Sequence, residues 1–451
     1  MKVRLNWHQY TSEFRRNITL AYPVMLGQLG HVLVGFADNI MVGELGPAPL
    51  AAVSLVNSLA FIAFSIGIGF TLAITPLVAE ADGEQNTENG QSYFQHGILM
   101  SVVLGILLTL ILFLMKPLLS VMQQPEEVVA YALPYFDMLA LSMLPLLVFQ
   151  AYKQFADGMS QTKYAMRAAV IANVLNIALN YLLIYGKFGF PRMELMGAGL
   201  GTLISRVAMF GFLLYMVHRK KEFADFVTPI RFSNIKKNVL QKVFDLGYPS
   251  ALQMFFEIGI FASGILLAGV LGTHAQAANQ ISLNLATMTF MIAIGLGVAA
   301  TIRVGNQKGL KNFKELRRIA RSVFLLMLLI DIFFALIFIV FKDFLPWLYI
   351  DDVEVVKIAA SLLVVAGLFQ ISDGVQVVVL GALRGLQDVK VPMYITFVAY
   401  WIIGFPICYY LGLHTNLGAL GIWIGLFVGL TASAIMLYLR FHKLTQKLIK
   451  Q

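Results

Sequence analysis

Cysteine and charged residues are scarce in this sequence of 451 residues. The single cysteine, Cys408, excludes an intramolecular disulfide and any cysteine-rich metal site. Charged residues make up 13% and hydrophobic residues 59%, with a mean hydropathy of +0.78, which excludes an ordinary soluble domain. The sequence contains no HExxH, GxSxG or glycine-rich nucleotide-binding motif. We therefore expect no enzymatic activity, no cofactor and no ATP-driven transport.

Long apolar segments recur twelve times and are separated by short polar breaks. Each approaches the about 20 residues that a helix needs to cross a bilayer. The sequence therefore predicts an all-α polytopic membrane protein with twelve transmembrane helices. The predicted spans are 17–41, 50–77, 92–115, 128–151, 165–186, 196–218, 245–270, 277–302, 319–342, 357–381, 393–413 and 417–440.

Basic residues are concentrated in the loops on one side of the predicted membrane. The most basic connections follow span six, "HRKKEFADFVTPIRFSNIKKNVLQK", and span eight, "RVGNQKGLKNFKELRRIAR". Cytoplasmic loops carry an excess of lysine and arginine, so both termini are predicted to be cytoplasmic in a bacterial-type inner membrane. The same bias explains the formal charge of +9 without nucleic acid as a partner. At the N-terminus, Trp7, Tyr10 and Phe14 share one helical face, which predicts an interfacial helix at the membrane lipid instead of a cleaved signal.

The two halves of the chain repeat each other at an offset of about 226 residues. Pro23 matches Pro249 and Gly46 matches Gly272. Glycine and proline positions are set by backbone geometry more than by hydropathy, so these matches are not simple apolar similarity. An even number of spans in each half implies two six-helix bundles related by a pseudo-twofold axis along the membrane normal, as in alternating-access transporters. The predicted domains are an N-terminal lobe at 1–218, a cytoplasmic linker at 219–243 and a C-terminal lobe at 244–451.

Five ionisable residues lie deep in the predicted spans. A charge at the centre of a membrane helix costs about 2.5 to 3.5 kcal/mol, so each needs a compensating role. Asp38, Glu257 and Asp373 have no carboxylate at the matching position of the other half, which favours a role in a site over a role in the scaffold. Asp331 has no polar neighbour on its helix face and is interpreted as structural or locally protonated. For Arg206, structural pairing and substrate contact both remain open.

Two polar clusters are predicted. Asn176 and Asn180 lie four residues apart on one face of span five, and with Asp38 and Thr202 they form an oxygen-rich cluster in the first lobe, unless the amides only bridge helices. The candidate members of the second-lobe cluster are Glu257, Asp373, Asn279 and Gln376. Carboxylate and amide oxygens suit a hard monovalent cation, and burial also favours protonated carboxylates, so sodium and protons both remain candidates.

Five motifs resemble those of the multidrug and toxic compound extrusion (MATE) family, in particular its NorM-type branch. They are "FADNIMVGELG" at 36–46, "NYLLIYGKFGFPRMELMGAGLGT" at 180–202, "YPSALQMFFEIGIF" at 248–261, "IRVGNQKG" at 302–309 and "SDGVQVVVLGALRGLQD" at 372–388. The resemblance implies two six-helix bundles around a cleft that faces each side in turn. It also implies efflux of cationic amphipathic drugs in exchange for sodium ions or protons.

The resemblance also assigns roles to individual residues. Glu257 and Asp373 match the carboxylates that bind the coupling cation, and Asp38 with Asn176, Asn180 and Thr202 matches the polar cluster of the first lobe. Pro23 resembles the position where span one bends in some members, and Pro249 is its repeat partner, so both are hinge candidates. The sequence departs from the family at Phe369, where a tyrosine is usual. A monomer is expected.

Two alternative functions remain. A lipid-linked oligosaccharide flippase of the same superfamily would share the fold but would need a more cationic cleft for pyrophosphate. A metabolite symporter of the major facilitator type would also have two sets of six helices, but the loop after span two, "AEADGEQNTENG", lacks the arginine expected there.

Overall fold

The computed structural model describes residues 7–122, 124–227 and 235–450. Across these ranges the regular structure is helical, no strand occurs, and twelve helices are long and apolar enough to cross a membrane. The spans, numbered one to twelve, are Phe14–Gly43, Pro47–Gly83, Thr87–Val121, Glu126–Gly158, Thr162–Tyr185, Glu194–Arg219, Lys237–Val270, Thr273–Gly309, Phe313–Val340, Val353–Gly385, Lys390–Leu413 and Ala419–Lys450. The predicted all-α architecture with twelve transmembrane helices is confirmed.

Several helices extend beyond their predicted apolar segments. Span seven begins at Lys237 instead of residue 245, and span twelve ends at Lys450 instead of residue 440. Helical hydrogen bonds do not require apolar side chains, so a helix continues past the hydrophobic region. Hydropathy therefore located the spans but not their polar ends.

The predicted interfacial helix at the N-terminus is shorter than expected. A helix covers Trp7–Thr11, and a separate helix, span one, begins at Phe14. The single helical face through Trp7, Tyr10 and Phe14 is therefore wrong, and the Trp7 side chain lies outside the described part of the structure. The intervening turn directs Glu13 into the protein, where it is 7% exposed and pairs with Arg303.

Contacts divide the chain into two compact units. The first unit is Leu26–Ala251, and the second comprises residues 7–25 together with 252–450. Pro23 and Pro249 each stand two residues before a point where the chain passes from one unit to the other, inside helices that continue through both positions. The lobe and linker boundaries at 1–218, 219–243 and 244–451 stay predictions.

The described parts of the predicted linker pack within the first unit. Phe223 is fully buried and Phe226 is 8% exposed in a core with Phe155. The backbone N–H of Lys236 donates to His96 Nε2 at 2.8 Å. These contacts hold both ends of the linker against the helices of one unit.

Matching positions of the two halves have the same local structure. Gly46 and Gly272 precede spans two and eight with φ of 120° and 110°, a region that favours glycine. Asn86 and Asn312 cap spans three and nine through their side chains. All four positions obey the offset of 226 residues, which supports the internal repeat.

The repeat extends to contacts between helices. Thr75 Oγ1 donates to the carbonyl of Gln154 at 3.0 Å, and Thr301 Oγ1 donates to the carbonyl of Gly381 at 2.9 Å. Gly381 lies against the backbone of Gly297, where a Cβ atom would not fit. Close packing of small residues and hydroxyl bonds stabilises these helix pairs in an apolar environment.

Candidate functional sites

A chain of hydrogen bonds joins three helices of the first unit. Asn180 Nδ2 donates to Asp38 Oδ1 at 2.6 Å and to Asn176 Oδ1 at 3.3 Å. Asn176 Nδ2 in turn donates to Ser205 Oγ at 3.3 Å. Both asparagines are buried, and Asn180 Oδ1 lies against Gly201, where a Cβ atom would overlap it. The structure therefore brings Asp38, Asn176 and Asn180 together.

Thr202 and Arg206 border this chain of hydrogen bonds. Thr202 Oγ1 donates to the carbonyl of Ala198 in its own helix at 3.0 Å, and the Thr202 carbonyl accepts a bond of 2.9 Å from Ser205 Oγ. Arg206 Nη1 donates to Ser142 Oγ at 2.6 Å, and its guanidinium lies 4.7 Å from the centre of the Phe64 ring. Arg206 thus has structural partners and also interacts electrostatically with Asp38.

An open cavity of about 720 Å³ lies between spans one and two of the first unit. This volume is within the range of about 300 to 1,000 Å³ that is typical of small-molecule sites. Its walls combine aromatic and aliphatic groups with amides and hydroxyls. The lining residues include Phe36, Asn39, Leu50, Asn57, Ser58 and Phe61.

Glu257 and Asp373 belong to one electrostatic cluster in the second unit. They come from spans seven and ten and interact with each other. Gln253, one helical turn before Glu257, hydrogen-bonds to it and accepts a bond of 3.5 Å from Arg384 Nη2. Asp373 is 5% exposed, and among the described residues no hydrogen-bond donor reaches its Oδ1 atom. The two predicted coupling carboxylates therefore interact with each other, and Glu257 also interacts with the half-buried Arg384.

The second cluster continues to span eleven. Tyr400 is 1% exposed and lies in a π-helical turn, Val398–Gly404. Its hydroxyl lies beside Gln376 and Ser433, but within the described ranges none of the three side chains completes a hydrogen bond of good geometry. π-Helical turns are frequent at functional sites, and these unpaired oxygens are available to a ligand.

Asn279 and Phe369 lie in an apolar region of the second unit. Asn279 Oδ1 accepts a bond of 2.9 Å from Trp423 Nε1. The Phe369 ring packs edge-on against Trp423 and Phe261, with centroids 5.3 Å and 6.0 Å away. Asn279 thus has a structural partner, and Phe369 fills a position in the core.

Four members of the second cluster were not predicted from the sequence. They are Gln253, Arg384, Tyr400 and Ser433. The spacing of Gln253 from Glu257, four residues on one helix, is a signal that identifies it in retrospect. The other three are set by the contact of separate helices, for which a single sequence has no signal.

Within the described ranges, no group of three or more histidine, cysteine, aspartate or glutamate side chains is placed to hold a metal ion. A monovalent cation in either cluster would therefore need amide or hydroxyl oxygens beside the carboxylates.

Comparison with known proteins identifies the family. A family model for MatE matches residues 23–182 and 249–410. The chain belongs to the MatE family. One match lies in each half of the chain, and they begin at Pro23 and Pro249, the residues that first indicated the repeat. Membership of this family excludes the major facilitator alternative.

The curated relatives of this MatE protein match almost its entire length. Multidrug resistance protein NorM of Photobacterium profundum is 33% identical over 440 residues, which cover 96% of each chain. Multidrug resistance protein MdtK of Yersinia pseudotuberculosis is 34% identical over 444 residues, which cover 97% of each.

Solved structures of MATE transporters share the fold. A crystal structure of a eukaryotic MATE transporter has a TM-score of 0.86 at 22% identity and covers 98% of this chain and 99% of its own. A MATE crystal structure in a bent conformation has a TM-score of 0.88 at 22% identity and covers 96% of each chain.

Proposed function

We propose that this MatE protein is a secondary active transporter that expels cationic amphipathic drugs in exchange for sodium ions or protons. The observation that carries the proposal is the pair Glu257 and Asp373, two interacting carboxylates from separate membrane helices, of which Asp373 is buried and Glu257 is half-buried. Relatives named as multidrug resistance proteins over nearly the full length support drugs as the substrate class.

The cluster suggests how an ion gradient drives the cycle. Two carboxylates in a site of low dielectric repel each other and are poorly solvated, so binding of a cation stabilises the closed, dry site. Release of that cation to the cytoplasm restores the negative charge, which favours the state that takes up an organic cation. The driving force equals the difference in cation affinity between the two states.

The first unit supplies a second polar cluster and a volume for the drug. The chain from Asp38 through Asn180 to Asn176 is a further cation or substrate cluster in this proposal. The cavity between spans one and two has the size and the mixed apolar and polar lining that suit varied organic molecules.

Other parts of the proposal concern motion and location. Pro23 and Pro249 act as hinges, because proline removes a helical hydrogen bond close to each point where the chain changes unit. The protein is a monomer in the lipid of the inner membrane, with both termini in the cytoplasm. It transports without a cofactor and without enzymatic activity.

Efflux from proteoliposomes tests this function. We expect an imposed sodium or proton gradient to increase the rate of ethidium export at least about 10-fold over liposomes without a gradient, which corresponds to a barrier lower by about 1.4 kcal/mol. An ionophore that collapses the active gradient should return the rate to the passive leak. Ethidium movement at the leak rate under both gradients would contradict the proposal.

The first-unit cluster is tested by Asp38→Asn. This change removes the charge from the bond with Asn180, and bonds to charged groups contribute about 1.5 to 3 kcal/mol, so we expect efflux to fall about 10-fold. Glu44→Gln, near the end of the same helix, is the control, because Glu44 bonds to Tyr185 at the surface. Equal efflux by the two variants would show that Asp38 has no role in transport.

A further inference from the structure

Asp331 is a buried carboxylate to which the proposed transport cycle assigns no role. It lies in span nine, within the apolar sequence "LLIDIFFAL", and is 1% exposed. Its Oδ2 atom has no hydrogen-bond partner in the part of the chain that the structure describes. A buried carboxylate without a donor is unfavourable, so its position requires an explanation beyond packing.

The carboxylate of Asp331 lies against span ten. Asp331 Oδ2 lies close to Gly374, because a Cβ atom added at that glycine would overlap it. Gly374 directly follows Asp373 in the chain. The glycine therefore allows the Asp331 carboxylate to approach the segment that carries Asp373, and the two acids interact electrostatically.

Gln370 links the same two helices. Its Nε2 atom donates to the backbone carbonyl of Asp331 at 3.3 Å, and the residue is 2% exposed. Gln370 lies one helical turn before Asp373 and Gly374, so it shares their face of span ten. No donor among the described residues bonds to Gln370 Oε1, so this buried amide oxygen is available to a ligand.

Three buried oxygens without donors thus belong to residues of spans nine and ten that are linked by contact, hydrogen bond or charge. They are Asp331 Oδ2, Gln370 Oε1 and Asp373 Oδ1. Their shared chemistry is that of a hard cation site, because all three accept and none donates, and two belong to acids. The Gln370 Nε2 donor at this contact bonds to the backbone carbonyl of Asp331 and leaves these three oxygens unpaired.

We propose that Asp331 is a ligand of the coupling cation and binds sodium together with Asp373 and the amide oxygen of Gln370. This inference rests on the proposed function and adds span nine to the site formed by spans seven and ten. The interaction between Asp373 and Glu257 makes the new site continuous with the cluster described above.

Binding of radioactive sodium to the purified full-length protein tests the proposal. Asp331→Asn should weaken sodium binding at least 10-fold, because a neutral amide replaces a carboxylate ligand of similar shape. Gly374→Ala should weaken it to a similar extent by displacing the Asp331 carboxylate. Gly367→Ala is the matched control, since Gly367 packs against Ala335 on the same pair of helices two turns away and should retain affinity within twofold.

The outcomes separate this inference from the proposed function. If Asp331→Asn binds sodium within twofold of the wild-type affinity while Asp373→Asn loses binding, Asp331 is not a ligand. The proposed transport function is unaffected by that result. A wild-type protein that binds no sodium also overturns the role of Asp331, whereas failure of ethidium efflux in wild type overturns the proposed function. A single symmetric peak in gel filtration shows that each variant is folded. If Gly374→Ala aggregates, the sodium affinity of Asp331→Asn alone tests the proposal.

Discussion

Glu257→Gln and Asp373→Asn are each expected to reduce gradient-driven drug efflux by about 10-fold to 100-fold. Both substitutions keep the shape of the side chain and remove its charge. A neutral residue gives the cation little difference in affinity between the open and closed states, and coupling free energies of this kind are typically about 1 to 3 kcal/mol, or about 5-fold to 150-fold. The rate at which drug moves passively down its own gradient should change much less, because neither substitution alters the shape of the transport pathway.

The measurement is the initial rate of ethidium export from proteoliposomes with imposed sodium and proton gradients. Glu354→Gln is the matched control, since it removes a carboxylate from the exposed first turn of the same span that carries Asp373. The control should transport at the wild-type rate. If Glu257→Gln and Asp373→Asn do so as well, the second cluster is not the coupling site.

The positions of the helices could be predicted from the sequence because length and hydropathy determine them. The repeat was also predictable. Gly46 and Gly272 have a backbone conformation that favours glycine, so glycine at matching positions indicates the same local geometry. Helical spacing similarly placed Asn176 and Asn180 on one face, where they bond to each other. In each case the determining interaction lies within one helix.

Contacts between helices could not be predicted in the same way. Most faces of a membrane helix are apolar, so hydropathy does not indicate which face meets which neighbour. Thr202 was expected to offer its hydroxyl to the first cluster, but the hydroxyl bonds to Ala198 in its own helix and Thr202 meets Ser205 through its backbone carbonyl. Tyr400 was not predicted because its place in the second cluster depends on the contact of span eleven with Gln376 of span ten and Ser433 of span twelve.

The pairing of Glu13 with Arg303 could not be predicted from the sequence either, because the two residues are 290 positions apart. Arg303 Nη2 donates to Glu13 Oε2 and Arg303 Nη1 donates to Asn17 Oδ1, both at 2.5 Å. Arg318 adds a bond of 3.0 Å to the other Glu13 oxygen. All these residues belong to the second unit, so the network anchors the start of span one to spans eight and nine.

Glu13→Ala is therefore expected to destabilise the protein by about 3 to 5 kcal/mol, because it leaves the guanidinium of Arg303 buried without its carboxylate. Chemical denaturation of the purified protein in detergent gives the free energy of unfolding and so measures this loss. Glu315→Ala is the control, since Glu315 also pairs with Arg318 but is about one-third exposed, and such a pair contributes about 0 to 1 kcal/mol. Equal losses of unfolding free energy in the two variants would show that the buried pair of Glu13 stabilises the protein no more than an exposed pair does.

The same pair gives a pH dependence of defined sign. Burial alone would raise the pKa of Glu13, but the hydrogen bond from Arg303 and the charges of Arg303, Arg318 and Arg16 lower it below the usual 4.5. The pair therefore stabilises the folded state fully above pH 4.5, and this stabilisation is lost as the pH falls through the lowered pKa. The difference in unfolding free energy between wild type and Glu13→Gln should be constant at neutral pH and shrink below pH 4.5. A difference that grows on acidification would show that the arginines do not hold Glu13 in its charged form.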